Sequence, residues 1–157
     1  MKISTKGRYG LRVLIDLAEH SSEDQRETLR AISDRQKITI KYLEQIMVPL
    51  LQDGYIKSFR GHSGGYVLSR QPADIRVGDV VRTMEGSLAP VACLETDAGH
   101  CPMADDCPTL VLWQGLEAII EAYLDQISLA DLINNTVEDF VVVRRADYLK
   151  EGSAHES

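Results

Sequence analysis

Three short helix-like segments, followed at once by two β-rich runs around a glycine turn, fill the first seventy residues, and few folds accept that order. In "IKYLEQIMVPLLQ", Leu43, Ile46, Met47, Leu50 and Leu51 fall at i, i+3, i+4, i+7 and i+8, so one face of a third helix is apolar. Thr39 is placed to cap that helix, which should run from Ile40 to about Gln52. Pro49 should kink its last turn, and Gly54 should end it. Upstream, Thr5 is predicted to cap a first helix reaching about Glu19, with Leu11, Leu14, Leu17 and Ala18 on its buried stripe; Thr28 caps a second, "LRAISDRQ". Downstream, Tyr55–Phe59 and Tyr66–Ser69 flank a turn with three glycines, which is a hairpin signal. Three helices and a hairpin are the layout of a winged helix-turn-helix: a mainly α fold with a small β-hairpin wing.

The second half reads differently. "RVGDVVRTMEG" should form a short helix ending at Gly86, and a segment holding every cysteine follows. Pro108 is suited to be the first residue of a long helix with apolar residues at 112, 116, 119, 123 and 127, close to a heptad spacing. Ser128 and Asp131 have capping-box spacing ahead of "LADLIN". The predicted organisation is a winged helix-turn-helix DNA-binding domain over 1–72, a connecting helix over 73–91, a cysteine loop over 92–108, the long helix and its successor over 109–136, and a charged, flexible tail over 137–157.

Charge separates the same halves. The net charge is −7, yet residues 1–70 carry 12 Lys and Arg against 8 Asp and Glu, while the rest carry 5 against 16. A polyanion would dock on the first half. No apolar run reaches the length of a membrane span, and the N-terminus lacks the pattern of a signal peptide. With three cysteines, an odd number, the expectation is a reducing, cytoplasmic setting and no disulfide framework.

On the third helix Lys41, Glu44, Gln45 and Val48 lie opposite the apolar face, where side chains can meet base edges in a major groove. A carboxylate is repelled by phosphates, so Glu44 is useful there mainly as an acceptor for cytosine N4, trading affinity for discrimination. The wing tip "RGHSGGY" places Arg60 at the turn, within reach of a minor groove or a phosphate.

The thiols Cys93, Cys101 and Cys107 are spaced C-x7-C-x5-C, which is not the C-x2-C pair of zinc ribbons. Long spacings suit a loop that wraps one side of a larger cofactor, and thiolates are the preferred ligands of iron–sulphur clusters. Three inert thiols are the plain alternative, but clustering in a polar, acidic loop argues against buried structural cysteines.

Together these residues resemble the IscR-like iron–sulphur regulators of the Rrf2 family of winged-helix bacterial transcription factors. The resemblance covers about residues 1–136 and rests on "STKGRYGLR", "KYLEQI", "RGHSGGYVLSR", "IRVGDVVRTMEG", the three cysteines and "SLADLINN", in that order. It implies a homodimer joined through the long C-terminal dimerisation helix, each subunit reading half of a dyad-symmetric promoter site in double-stranded DNA. It also implies a cluster, usually 2Fe-2S, on Cys93, Cys101 and Cys107, whose state alters DNA binding, most often in a repressor. Thr39, Lys41, Glu44 and Gln45 on the helix and Arg60, His62 and Ser63 in the wing make up the DNA-binding set it suggests.

The sequence departs from the family's pattern in places. Leu110 stands where the best-known cluster-assembly regulators carry a histidine, and Arg8 where others take an acidic ligand from the partner. The fourth ligand is therefore open among His100, Asp97, Glu95, Asp105 and a water. Lys41 replaces a usual small polar residue, and the wing reads "GHSGG" where "GPGGG" is common. Two other readings stand beside this one. A cluster-free regulator of the same family would answer to cysteine metabolism or thiol redox. A small iron–sulphur electron carrier would need no base-reading face and would be expected to have four cysteines. An enzyme acting on a small-molecule substrate is disfavoured, because no paired nucleophile and base stands out among His20, His62, His100, His155 and their neighbours.

Overall fold

The expected helices form because polar residues at their starts satisfy backbone N–H groups and apolar stripes give them something to bury. The protein, here as a computed structural model, is described over residues 2–95, 99 and 101–137. Its elements are α1 (Thr5–His20), α2 (Leu29–Gln36), α3 (Ile40–Gln52), β1 (Ile56–Phe59), β2 (Gly65–Leu68), α4 (Val77–Glu85), α5 (Leu110–Gln126) and α6 (Leu129–Ile133). Single 3-10 turns lie at Pro72–Asp74, Ala92–Leu94 and Ala104–Asp106. Mostly helical, with one antiparallel hairpin registered Ile56↔Leu68 to Phe59↔Gly65, the chain has the expected fold class. None of the described helices is long and apolar enough to cross a membrane.

Thr28 and Thr39 cap α2 and α3 as expected, accepting from Ala31 N and Tyr42 N. The turn between these helices is held by Lys37 in the left-handed region, at φ 57°. Pro49 is accommodated inside α3, which continues to Gln52 before Gly54 turns the chain at φ 72°. Two expectations need correction. The cap of α1 is Ser4, whose side chain accepts from Lys6 N, and Thr5 is the first helical residue. The long helix begins at Leu110 with Thr109 at its cap, so Pro108 sits in the turn before it.

One core joins Val13, Leu14 and Leu17 of α1, Ile32 of α2, Leu43, Ile46 and Leu50 of α3, Val80 of α4 and Leu129 of α6, with Ile56 from the hairpin. Each such side chain removed from water contributes roughly 1.5–3 kcal/mol. Leu129 enters it because Leu129 N donates to Ile75 O and Ile127 O accepts from Val77 N, so the chain after α5 returns to the start of α4. Ser128 and Asp131 form the expected capping box there. A smaller cluster of Val77, Val81, Leu88 and Ile127 takes Ile120, Tyr123 and Leu124 of α5 against α4.

One acidic side chain lies within the main core. Asp16 of α1 is 1 % exposed and is held by Arg35 (2.7 and 3.0 Å) and by the Gln36 amide (2.7 Å). Arg35 also donates to Glu27, at 2.5 Å. Glu27 in turn pairs its backbone with Tyr66 of β2 (2.8 and 3.0 Å), so this charged group ties α1, α2 and the outer edge of the hairpin together. Burial alone would raise the Asp16 pKa, but the donations from Arg35 and Gln36 outweigh it and hold the carboxyl below its ordinary value.

Candidate nucleic-acid interface and thiol segment

With Leu43, Ile46, Met47 and Leu50 turned inward, the period of α3 leaves Lys41, Glu44, Gln45 and Val48 exposed together on its outer face. Val48 is 52 % exposed, unusual for a valine and suited to touching a thymine methyl. Thr39 is exposed at the head of the helix, its hydroxyl engaged in capping. Arg60, His62 and Ser63 are exposed in the loop of the hairpin, where Gly61 takes φ 102°. Of the predicted set, Lys41, Glu44 and Gln45 thus share α3 with Thr39 at its cap, and the three wing residues share one loop.

Other residues position these, and no sequence pattern points to them. Arg26, just before Glu27, lies over the Phe59 ring at 3.8 Å and donates to the Ser63 carbonyl at 3.3 Å, bracing the wing loop from outside the hairpin. Tyr42, beside Lys41, packs edge-on against Tyr9 of α1, and its hydroxyl lies 2.6 Å from that of Thr5. Contacts between residues 33 to 37 positions apart leave no periodic signal in sequence.

The thiol segment is built less tightly. Cys93 lies in a 3-10 turn and is exposed; Cys101 and Cys107 are half-buried, and all three are free thiols. Thr109 stands 3.5 Å from the Cys107 sulphur, and its hydroxyl, with the N–H groups of Thr109 and Leu110, holds that thiol below its ordinary pKa. The donor chemistry fits a soft iron site, since three free thiols fall within one segment. Among the described residues, however, no three His, Cys, Asp or Glu side chains converge closely enough to hold a metal ion. Of the fourth-ligand candidates, Glu95 and Asp105 are exposed, and His100 and Asp97 lie outside the described residues, as does 138–157 of the predicted tail.

Beyond the segment, α5 carries no fully buried residue. Val111, Leu112, Leu116 and Ile119 are 78, 61, 39 and 44 % exposed, an apolar stripe left uncovered among the described residues.

Comparison with known proteins agrees with this layout. Residues 3–135 match the Rrf2 family, described as an iron-dependent transcriptional regulator. The transcriptional regulator IscR of Serratia proteamaculans is 37% identical over 143 residues, covering 91% of this chain and 84% of that protein. Among solved structures, CymR, the global cysteine regulator of B. subtilis, superposes with a TM-score of 0.68 at 38% identity, covering 86% of this chain and 98% of that one. IscR of T. potens superposes with a TM-score of 0.65, also at 38% identity, covering 87% and 88%.

Proposed function

The chain belongs to the Rrf2 family of transcriptional regulators, DNA-binding proteins and not enzymes, and from that premise we propose that it is a homodimeric repressor sensing iron–sulphur status through Cys93, Cys101 and Cys107. The observation that carries the reading is the placement of three free thiols in the one segment joining α4 to α5. A cluster bound there, of the 2Fe-2S kind, supplies a group that is gained, lost or oxidised with cellular conditions. The chain's own part is to hold three thiolates and a fourth donor, still open, in a segment anchored at both ends. A change in how that segment folds acts on α4 and α5 together.

Dimerisation follows from the exposed stripe of α5. A run of Val111, Leu112, Leu116 and Ile119 facing water is unfavourable, and a second copy of the same helix covers it symmetrically. Two reading heads would then meet a dyad-symmetric promoter site, with Lys41, Glu44, Gln45 and Thr39 in successive major grooves and Arg60, His62 and Ser63 along the flanks.

A second reading is favoured by the likeness to the B. subtilis global cysteine regulator: the same fold without a cluster, answering to cysteine metabolism or thiol redox. An absorption spectrum with iron and sulphide analysis on protein purified without oxygen separates the two. Visible bands with iron and sulphide in cluster proportion, lost in Cys93→Ala, Cys101→Ala and Cys107→Ala, support the first. A colourless protein that still binds a palindromic duplex supports the second.

A further inference from the structure

From the end of α4, where the thiol segment begins, to the reading helix the structure holds a set of contacts that starts at one carboxylate. Glu85 is the last residue of α4, and its Oε1 accepts three hydrogen bonds from the start of α1: Ser4 N at 3.0 Å, Ser4 Oγ at 2.7 Å and Gly7 N at 2.9 Å. These N–H groups have no partner within the helix, so a carboxylate there both satisfies them and complements the positive end of the helix dipole. The approach is close enough that a Cβ on Gly7 would stand 2.5 Å from that same oxygen. A side chain at position 7 would push the carboxylate off these donors.

From α1 the contacts continue to α3. Thr5, the neighbour of Ser4, places its hydroxyl 2.6 Å from that of Tyr42, and Tyr9 one turn later meets the Tyr42 ring edge-on at 5.9 Å. Tyr42 lies between Lys41 and the core residue Leu43, in the first turn of the reading helix. On the other side, Arg82 of α4 donates to Asp125 of α5 at 2.6 Å and to Asp79 at 2.8 Å. One short helix therefore grips α5 with Arg82 and α1 with Glu85. Directly after Glu85, Gly86 turns the chain at φ 83° into the segment that carries the thiols.

We propose that Glu85 is a positioning residue for DNA reading: it fixes the first turn of α1, which through Thr5 and Tyr9 sets Tyr42 and so the presentation of Lys41, Glu44 and Gln45. It acts through these residues and does not itself touch a base. Because α4 also ends where the thiol segment begins, Glu85 is the contact through which a rearrangement of that segment or of α5 reaches α3. That last clause rests on the sensor reading; the positioning role does not.

The test uses the full chain labelled with 3-fluorotyrosine, the Tyr42 fluorine resonance being identified as the one missing from Tyr42→Phe. Binding is measured to a duplex selected by the wild-type protein from a random pool and to an unselected duplex. Glu85→Ala is expected to move the Tyr42 resonance in the free protein and to weaken binding to the selected duplex by about tenfold, within the usual range for coupled sites. Phosphate contacts are untouched, so binding to the unselected duplex should change by less than about twofold. Glu85→Gln, which keeps an acceptor oxygen of the same reach, should restore both. Combining Glu85→Ala with Tyr42→Phe should cost no more than Glu85→Ala alone, because both act through one contact. An unmoved Tyr42 resonance in folded Glu85→Ala, or equal losses on both duplexes, overturns the proposal. If Glu85→Ala does not fold, Ser4→Ala, which removes one of the three bonds together with the cap on Lys6 N, must shift both readouts in the same direction, and no shift overturns the proposal. A wild-type protein that prefers neither duplex would refute the reading-head assignment, and the fluorine signal would then decide the Glu85 contact alone.

Discussion

The reading head and the α5 arm are built on opposite terms. In the head, α1, α2 and α3 bury Leu14, Leu17, Ile32, Leu43, Ile46 and Leu50 completely, and a buried charge is met by several donors. In the arm, a helix of 17 residues buries none fully and leaves Val111 and Leu112 mostly in water. The head packs its core within one chain, while the arm leaves Val111, Leu112, Leu116 and Ile119 exposed among the described residues. In the proposed dimer, substitutions should therefore register as lost folding stability in the head and as lost assembly in the arm.

The largest stability effect is expected at the centre of the head. Leu43→Ala opens a cavity where α3 meets α1 and should cost about 3 kcal/mol in urea unfolding. A cost below about 1 kcal/mol would mean that the head is more loosely packed than its burial implies.

Asp16→Asn comes next, at about 2 kcal/mol, because the amide keeps the shape but leaves Arg35 with a weaker partner. The pH dependence has a defined sign. The folded carboxyl lies below its ordinary value of 3.8, so the ionised form favours folding. Its contribution is complete above that ordinary value and disappears as pH falls through the lower, folded-state value. The gap between wild type and Asp16→Asn, measured by denaturant midpoints, should be constant near neutrality and close in acid. A gap that persists in acid would assign the cost to packing and not to charge.

How much of this could be read beforehand follows the same division. In the head the signals were local: apolar residues at helical spacing, Thr28 and Thr39 one position before their helices, and a hairpin flanking three glycines. The outward face with Lys41, Glu44 and Gln45 followed from the same period. What escaped was held by distant partners. The cap of α1 falls on Ser4 and not Thr5 because Glu85, 81 positions away, fixes Ser4. Asp16 stands among apolar neighbours and is explained by Arg35 and Gln36, 19 and 20 positions on. In the arm, apolar residues near heptad spacing announced a helix but not its start, which the Pro108 turn delays to Leu110. The thiols were legible as a chemical type and not as a geometry, since a spacing of seven and five residues leaves the path of a loop undetermined.

Thr39→Ala probes the head at its edge, removing the side-chain acceptor for Tyr42 N. It should cost about 1 kcal/mol of stability, and its effect on DNA binding should exceed what the lost stability alone produces if Thr39 also faces the duplex. Equal unfolding midpoints would show that the turn around Lys37 holds α3 without its cap.

The smallest effect on stability, and the sharpest contrast, belongs to the arm. Leu112 is 61 % exposed and Leu116 39 %, so within a single chain replacing both by Gln removes few contacts and should change unfolding by less than about 0.5 kcal/mol per site. Assembly should respond far more. If the stripe of Val111, Leu112, Leu116 and Ile119 is what a second copy covers, each glutamine must be desolvated in the dimer without a matched partner, and sedimentation should show the variant dissociating at concentrations where the wild type stays paired. DNA affinity should then fall on a two-half-site duplex and not on a single half-site. A variant that unfolds early while remaining dimeric would reverse the contrast, making α5 part of the chain's own core and leaving the exposed stripe to some other contact.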